Sequence, residues 1–305
     1  MNTKTSSNYY IDESKLSIIC YDTTINKLIV LDKNGMFFGK IEEMFSVNKK
    51  SQIRISREAI KKLYKSDCIN YETLSEQVKK CGLLHEIQEK KIIVAYDEDI
   101  SFCELIRYII RLFGDFYRNV RLIDKMSLAA VYYGSLFVDD DFVFKIQKGN
   151  ECLYVEAGEG VIEIMDVNDD SLFTINTGAI IEVVGGAIWD LCIKKGYITN
   201  SVILYINKSS YEVEVAGKKY KLIEKDTTIP CHRSETIEKG KADKIFFNVD
   251  NQKFEWEIPY IFKDDVNLEC SADIDVNSIV KFEVKSKDSG KSQTITMQGL
   301  LRINN

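Results

Sequence analysis

The last third of the chain alternates apolar and polar residues with a period of two. Apolar side chains recur at every second position in Tyr211–Val215, Phe254–Ile258 and Val280–Val284, and this alternation is typical of strands with one buried face. Ala216-Gly217 follows the first of these stretches and predicts a hairpin turn. Several short alternating strands joined by polar turns predict an antiparallel β-sandwich.

The first two thirds of the chain mix apolar runs with helical spacing. Two runs, Leu16–Tyr21 and Ile25–Leu31, flank a short polar turn and predict a hairpin. Lys91–Ala95 and Val120–Ile123 predict two buried strands. Between these strands an apolar face predicts a helix that ends at Gly114; its members are Phe102, Leu105, Ile106, Ile109 and Phe113. This order of strands and helices predicts an α/β fold.

Three further stretches complete the pattern. Thr73 with Glu76 forms a capping box that opens a short helix. Leu153–Met165 predicts two strands around a turn that contains glycine. Val202–Ile206 is an apolar stretch that we expect to pack as a fixed strand or core segment. We therefore divide the chain into an α/β domain, residues 1–200, and an all-β domain, residues 201–305.

Length, composition and charge narrow the classes of function. A chain of 305 residues with 45% hydrophobic residues is long enough to form two domain cores. The formal net charge of −6 argues against a nucleic-acid-binding protein, which usually carries a basic patch. No apolar run reaches the ~18 residues of a membrane span, and Met1–Ser17 lacks the apolar core of a signal peptide. We expect neither a nucleic acid nor a membrane as partner.

The cysteines and histidines indicate the compartment and the metal content. Eight cysteines are scattered along the chain without a C-x-x-C pair, which indicates a reduced, cytoplasmic protein. The two histidines are His85 and His232. Although His232 follows Cys231, neighbouring residues of a strand point apart, and no other ligand types cluster beside them. The sequence therefore predicts no metal site.

Two stretches of the last third resemble the substrate-binding β-sandwich of DnaK-type chaperones, the seventy-kilodalton heat-shock family. Tyr220–Pro230 resembles the strand and turn that open the sandwich, and Asp273–Thr296 resembles its late hairpin. The resemblance implies a cleft for extended peptide, lined here by Val213, Val215, Ile237, Gly240, Phe247 and Leu268. Only Gln298–Asn305 follow Met297, so we expect no helical lid and a fast exchange of bound peptide.

The first 200 residues resemble, in order, the family's actin-like ATPase, which has a ribonuclease H-like fold. Two stretches correspond to the family's phosphate loops and one to a later glycine pair. The resemblance implies a reduced lobe with two large deletions, one of which removes the purine-binding wall. The nucleotide-binding remnant consists of Asp22, Thr23, Thr24, Glu156, Gly158, Gly160, Gly185 and Gly186.

This sequence departs from the family where the phosphates and the metal would bind. The first loop has no glycine, so its backbone cannot approach a phosphate freely. Glu159 places a carboxylate where phosphate oxygens would lie, and like charges repel. Lys125 stands where the family has a glutamate that organises the metal and its water, and a lysine repels Mg²⁺. We expect the pair Gly185-Gly186 to let a helix begin tightly against a strand.

These departures lead to three expectations for function. We expect no catalytic residue, no ATP or Mg²⁺ as cofactor, and a nucleotide-independent module that binds unfolded or extended apolar peptide, or one dedicated client protein. The first alternative is an ATP-dependent protein-folding chaperone with divergent ATP-binding loops. The second alternative is a scaffold or a homo-oligomeric assembly partner.

Overall fold

A computed structural model of the chain describes residues 11–22, 26–47, 53–55, 57–65, 73–85, 90–97, 99–135, 142–148, 151–158, 161–166, 180–194 and 202–303. These residues form a mixed α/β fold with several sheets, among which antiparallel pairs predominate. The α-helices are α1 Ile41–Met44, α2 Arg57–Lys61, α3 Leu74–Lys80, α4 Phe102–Phe113, α5 Lys125–Ser135, α6 Ile180–Lys194 and α7 Met297–Ile303. Within the described ranges no helix is both long enough and apolar enough to cross a membrane.

The strands before the predicted domain boundary are β1 Leu16–Asp22, β2 Lys27–Asp32, β3 Gly35–Lys40, β4 Phe45–Val47, β5 Ile53–Ile55, β6 Tyr64–Lys65, β7 Lys90–Tyr96, β8 Val120–Asp124, β9 Phe142–Lys148, β10 Glu151–Gly158 and β11 Val161–Asp166. The strands after it are β12 Val202–Ile206, β13 Tyr211–Val215, β14 Lys218–Ile223, β15 Thr228–Ile229, β16 Cys231–Glu238, β17 Lys244–Val249, β18 Gln252–Glu257, β19 Asn267–Ile274, β20 Val280–Ser286 and β21 Ser292–Thr296.

The first sheet has the strand order β6-β3-β2-β1-β7-β8. The predicted hairpin is confirmed as β1 and β2, whose inner residues are almost entirely buried. Strand β1 also pairs antiparallel with β7, which places Leu16 beside Tyr96 and Asp22 beside Lys90. Strands β7 and β8 run parallel and are connected through α4. Consequently the C-terminal end of β1 points in the opposite direction from the C-terminal ends of β7 and β8.

Helix α3 begins and helix α4 ends where the sequence predicts. The Thr73 side chain accepts a hydrogen bond from the backbone N–H of Glu76, at 3.2 Å, and caps α3. Helix α4 buries the predicted apolar face and ends at Gly114, whose φ of 58° favours glycine. Ser101 precedes α4 without making a side-chain capping hydrogen bond. The burial of the apolar face against its neighbours therefore fixes α4 more than its cap does.

The second sheet has the order β15-β12-β11-β10-β9. The predicted hairpin of Leu153–Met165 is confirmed as β10 and β11. Strand β12, the apolar stretch between the two parts of the chain, pairs parallel with β11 and antiparallel with β15. Strands β12 and β15 follow residue 200, yet they complete a sheet that begins before it. The division at residue 200 stays a prediction.

The last third forms two four-stranded antiparallel sheets, β14-β13-β17-β18 and β16-β19-β20-β21, an arrangement compatible with the predicted sandwich. Their facing side chains interdigitate: the Phe247 and Phe282 rings are 4.7 Å apart between centroids, and Phe282 also meets Tyr211 edge-on at 6.0 Å. The turn Ala216-Gly217 has φ of 49° and 78°, as a tight hairpin turn requires.

The last third of the chain packs against edge strand β8 of the first sheet and against helix α4. The backbone N–H of Leu122, on edge strand β8, donates to the carbonyl oxygen of Asn277 at 3.2 Å, in the turn between β19 and β20. The Tyr211 ring meets Phe102 of α4 edge-on at 6.4 Å. Helix α7, which the sequence did not predict, buries Met297 and Leu300 and packs against α4, β18 and β21. One continuous core therefore joins both parts of the chain.

Candidate functional site

Asp22, the first residue of the predicted nucleotide remnant, lies at the end of β1. Its carboxylate is 4.0 Å from the ammonium of Lys90, the first residue of β7. The same ammonium donates hydrogen bonds to the carbonyl oxygens of Gly82 and His85 at 3.0 and 2.5 Å. Asp22 therefore has a cationic neighbour that is held in place by backbone acceptors. Thr23 and Thr24 lie outside the described residues.

Lys125, which stands where the resemblance has a metal-organising glutamate, lies at the other end of β7. Its ammonium pairs with the Asp97 carboxylate at 3.3 Å. Next to it, the Asp124 carboxylate accepts hydrogen bonds from the backbone N–H and the hydroxyl of Ser127, at 2.7 and 2.5 Å, and caps α5. Since β7 spans seven residues, Asp22 and Lys125 are separated by roughly 20 Å along the strand. The resemblance implied one site that contains both positions.

Glu156 and Gly158 lie in β10, where they are paired in register with Glu163 and Val161 of β11. Gly160 and Glu159 lie outside the described residues. The structure thus confirms a hairpin at this point, while the use of its turn as a phosphate loop stays a prediction.

Gly185 and Gly186 lie in the interior of α6, where this helix crosses α5. A Cβ atom on Gly186 would lie 1.9 Å from the carbonyl oxygen of Leu128, and one on Gly185 would lie 2.1 Å from the Tyr132 ring. The expectation that a helix begins at this pair is wrong, because α6 begins at Ile180. The glycines instead allow the two helix backbones to approach closely.

Five of the six predicted cleft residues lie inside the sandwich. Val213, Val215, Ile237, Phe247 and Leu268 are each 0% exposed and belong to the core between the two sheets. Gly240 lies in the exposed loop between β16 and β17 with a φ of 56°. An extended peptide would contact the buried five only if the sheets separate at one end. Their role in peptide binding stays a prediction.

Two segments, here called the lips, lie at one end of the sandwich. The first lip is the turn between β13 and β14 with the start of β14, and the second is the end of β16 with the loop that follows it. The Lys218 ammonium of the first lip pairs with the Glu238 carboxylate of the second at 2.8 Å. This hydrogen bond lowers the pKa of Glu238 and raises that of Lys218. The backbone N–H of Glu238 also donates to the Tyr220 hydroxyl at 3.4 Å. Side chains of the chain itself therefore connect the lips.

Lys239 fixes the second lip from inside, which the sequence did not predict. Its side chain is buried, and its ammonium donates to the carbonyl oxygens of Lys263 and Asp265 at 3.1 and 3.0 Å and to that of Gly240 at 3.3 Å. These contacts join the second lip to the loop between β18 and β19. That loop exposes the apolar side chains of Tyr260, Ile261 and Val266.

A buried polar network lies where β8, α6 and β12 meet. The Arg121 guanidinium is 3.5 Å from the Asp190 carboxylate and stacks 4.4 Å from the centre of the Tyr205 ring, and the Tyr205 hydroxyl donates to Asp190 at 3.2 Å. Burial raises the pKa of Tyr205 well above its ordinary value and lowers that of the neighbouring Lys194 to about 8. The only advance sign in the sequence is an arginine within the apolar run Val120–Ile123.

Metal ligands do not cluster in the described part of the chain. There, no group of three or more His, Cys, Asp or Glu side chains is placed to hold a metal ion. His232 lies on the exposed edge strand β16 and His85 in the loop before β7.

Comparison with known proteins gives a partial relationship. No family model matches the chain. A stretch of 130 residues is 32% identical to the chaperone protein dnaK of Thalassiosira pseudonana and covers 37% of this chain and 22% of that protein. The chain thus spans about a fifth of the length of this curated relative. The match supports a relationship between part of this chain and the DnaK-type chaperones.

Proposed function

We propose that this chain is a chaperone relative that binds extended apolar polypeptide without using a nucleotide. The observation that carries the proposal is the two-sheet antiparallel sandwich in the last third, together with the partial similarity to a dnaK chaperone. Its apolar core would receive alternate side chains of an extended segment once the sheets separate at the lips, while main-chain hydrogen bonds would hold the segment.

The first part of the chain, in this proposal, is a reduced actin-like lobe that has lost ATPase activity. Three observations support this loss. Lys125 pairs with Asp97, Gly185 and Gly186 lie in the contact between α5 and α6, and Asp22 lies far along β7 from Lys125. Because catalysis of phosphoryl transfer depends on positioning phosphates and Mg²⁺ together, this separation removes what the reaction needs.

The lips suggest how access to the core is controlled. Lys218 and Glu238 are both more than 60% exposed, and water and salt screen an exposed ion pair so that it stabilises the contact only weakly. Thermal motion therefore breaks this contact readily. Lys239 contributes more order to the second lip, because three backbone carbonyls hold its ammonium in a buried site. We expect the first lip to move away from the second.

Peptide binding tests the proposal directly. A labelled seven-residue leucine-rich peptide is titrated with the full chain, and fluorescence anisotropy is recorded with and without Mg-ATP. We expect binding that Mg-ATP leaves unchanged, and no binding of a control peptide in which serine replaces each leucine. If no extended apolar peptide binds, the proposal fails. If Mg-ATP releases the peptide, the chain is an ATP-dependent chaperone instead.

Thermal unfolding in the presence of Mg-ATP separates the two possibilities independently of any peptide. A ligand that binds only the folded state raises the free energy of unfolding by RT ln(1 + [L]/Kd) and thereby raises the melting temperature. We expect no shift at millimolar Mg-ATP. A clear upward shift would contradict the proposed loss of nucleotide binding.

A further inference from the structure

Among the strands that the structure describes, β16 is an edge of the second sandwich sheet and pairs there with β19 on one side. Residues 232–236 of β16 are all exposed, so the strand is open to solvent on both of its faces. A long edge strand with free main-chain groups is a template for a further strand, and proteins usually block such edges or use them.

The direction of the main-chain groups of β16 follows from two hydrogen bonds near its end. The N–H of Lys239 donates to the carbonyl oxygen of Val266, on the β19 side, at 2.8 Å. The N–H of Glu238 points the other way, to the Tyr220 hydroxyl at 3.4 Å. Because this direction alternates along a strand, the N–H and C=O groups of His232, Ser234 and Thr236 face the open edge.

We infer that two copies of this chain pair through β16, antiparallel, with a two-fold axis at Ser234. Ser234 then exchanges both main-chain hydrogen bonds with Ser234 of the second copy, and His232 does so with Thr236 of the second copy. Arg233 comes to lie directly opposite Glu235 of the second copy, and this opposite-charge pair occurs twice across the axis. Opposite charges that face each other stabilise antiparallel pairs, so the strand is self-complementary.

The boundaries of β16 limit the pairing to seven residues. Beyond one end stands Pro230, which has no N–H to donate. At the other end the Tyr220 hydroxyl already occupies the N–H of Glu238. In this arrangement Cys231 lies opposite Ile237 of the second copy, and both lips remain outside the contact. The dimer therefore leaves the proposed peptide entrance accessible.

Two side-chain contacts must rearrange when the strands pair. The Arg233 guanidinium donates to the carbonyl oxygen of His232 at 3.0 Å, and the Lys287 ammonium donates to the Thr236 hydroxyl at 2.6 Å. The first contact covers one of the outward carbonyls in the single chain, and it is exchanged for Glu235 of the second copy. A polar, charged strand of this kind suits a second copy better than an apolar peptide.

Sedimentation velocity on the full chain tests the inference. The contact is small, so we expect dimers that form with increasing concentration up to about 100 µM. Ser234→Pro removes an outward N–H at a position where an edge strand tolerates proline, and it should leave the chain monomeric. Ser234→Ala keeps the N–H and should dimerise like the wild type. Unchanged melting temperatures would show that both variants are folded.

Charge reversal gives the sharper result. Arg233→Glu makes the edge wholly acidic and Glu235→Arg makes it wholly basic, so each variant alone should raise the dimer Kd about tenfold or more. An equimolar mixture of the two should form a heterodimer, and the double variant Arg233→Glu with Glu235→Arg should dimerise again. A wild-type chain that stays monomeric, or dimers indifferent to Ser234→Pro and to charge reversal, would overturn the inference.

This outcome is separable from that of the proposed function. Peptide binding at the lips should persist in the monomeric Ser234→Pro variant, so loss of the dimer leaves the proposed function standing. If instead the wild type is monomeric and Ser234→Pro abolishes peptide binding, β16 holds the peptide itself, and the dimer is excluded.

Discussion

Gly186 is the residue at which the approach of α5 and α6 is decided. An added Cβ would lie 1.9 Å from the Leu128 carbonyl oxygen, a backbone atom that cannot swing aside. We expect Gly186→Ala to push the helices apart and to lower the free energy of unfolding by about 2–3 kcal/mol, as overpacking does. Urea denaturation measures the change.

Gly299 in α7 provides the matched control for this substitution. A Cβ there meets only the Thr296 hydroxyl oxygen at 3.6 Å, an ordinary contact distance. Gly299→Ala should therefore be neutral or stabilise the protein by up to about 1 kcal/mol through helix propensity. Equal losses in the two variants would show that the approach of α5 to α6 is looser than the structure has it.

Buried thiols should make stability fall at alkaline pH. Burial raises the pKa of Cys20, Cys103 and Cys270 from 9.0 to about 12. Their contribution is complete below pH 9.0 and is lost as the pH rises towards about 12, because only the unfolded chain releases these protons. Each thiol contributes a slope of about 1.4 kcal/mol per pH unit.

Cys270→Ala isolates one of these slopes in urea denaturation between pH 8 and pH 11. Below pH 9.0 the variant is less stable than the wild type because of the lost packing, but its stability should fall less steeply as the pH rises. Lys194, whose lowered pKa of about 8 gives a slope of opposite sign, affects both proteins alike. Identical slopes would mean that Cys270 is exposed to solvent in the folded state.

The structural environment of some single residues can be predicted from the sequence, and that of others cannot. The burial of Cys20 follows from its apolar neighbours, which the sequence displays directly, whereas Cys270 stands between Glu269 and Ser271 and is buried with the inward-facing side of β19. Gly185 and Gly186 were assigned to the beginning of a helix, because a glycine pair looks the same there and at a helix crossing. The burial of Lys239 has no local signal in the sequence. Two of its three acceptors, the carbonyl oxygens of Lys263 and Asp265, lie in a distant loop, and the third, that of Gly240, is reached only because of the backbone conformation there.

At the scale of elements, the network of Arg121, Asp190 and Tyr205 should hold β8, α6 and β12 together. Asp190→Asn leaves the Arg121 charge buried without a carboxylate, and breaking such a pair costs about 3–5 kcal/mol. The double variant Arg121→Met with Asp190→Leu removes both charges, so it should recover much of that loss. Urea denaturation of the single and double variants compares the two. A double variant less stable than Asp190→Asn would contradict this view of the network.

The distance between the two lips should depend on the charges of Lys218 and Glu238. Lys218→Glu places a like charge beside Glu238 and separates the lips, so the association rate of an apolar peptide should rise up to about fivefold. Stopped-flow fluorescence with a labelled peptide measures this rate. Lys221→Glu is the matched control, since it disrupts the exposed Lys221–Glu224 pair away from the lips and should leave the rate unchanged. Equal rates in both variants would place the entrance elsewhere.

The elements that the sequence predicts well are those with a strong period. The hairpin β1–β2, strand β7, helix α4 and the alternating strands β13, β18 and β20 lie within a residue or two of their predicted positions. Helix α7 and strand β15 were not predicted, because both are short and depend on distant partners. Helix α7 is buried by α4 and the sandwich, and two residues of β15 become a strand only beside β12.

At the scale of the whole molecule, the shared core should make unfolding cooperative. Phe102 meets Tyr211, β8 binds the β19–β20 turn, and α7 packs on α4. We expect one calorimetric transition with equal calorimetric and van't Hoff enthalpies. Leu300→Asp, which puts a charge at a fully buried contact of α7, should split this transition in two. Ile261→Asp, at an exposed position, should keep it single.

The mixed α/β character and the antiparallel sheets of the last third could be predicted from the sequence, but the way the sheets are completed could not. Period and turn signals are local, whereas the antiparallel pairing of β1 with β7 joins residues that lie 68 to 80 positions apart, from Asp22 with Lys90 to Leu16 with Tyr96. That pairing also separates Asp22 from Lys125, two residues that the resemblance assigns to one nucleotide site. Whether two such residues meet depends on strand direction, which no local pattern encodes.

Strand β12 lies between β11 and β15, with hydrogen-bonded neighbours on both sides. To free it, two ladders must break together and the buried Tyr205 ring must enter water. We therefore do not expect β12 to act as a flexible linker that binds to the sheet and is released from it. Any conformational change that passes through β12 would therefore move the whole sheet β15-β12-β11-β10-β9 as one body.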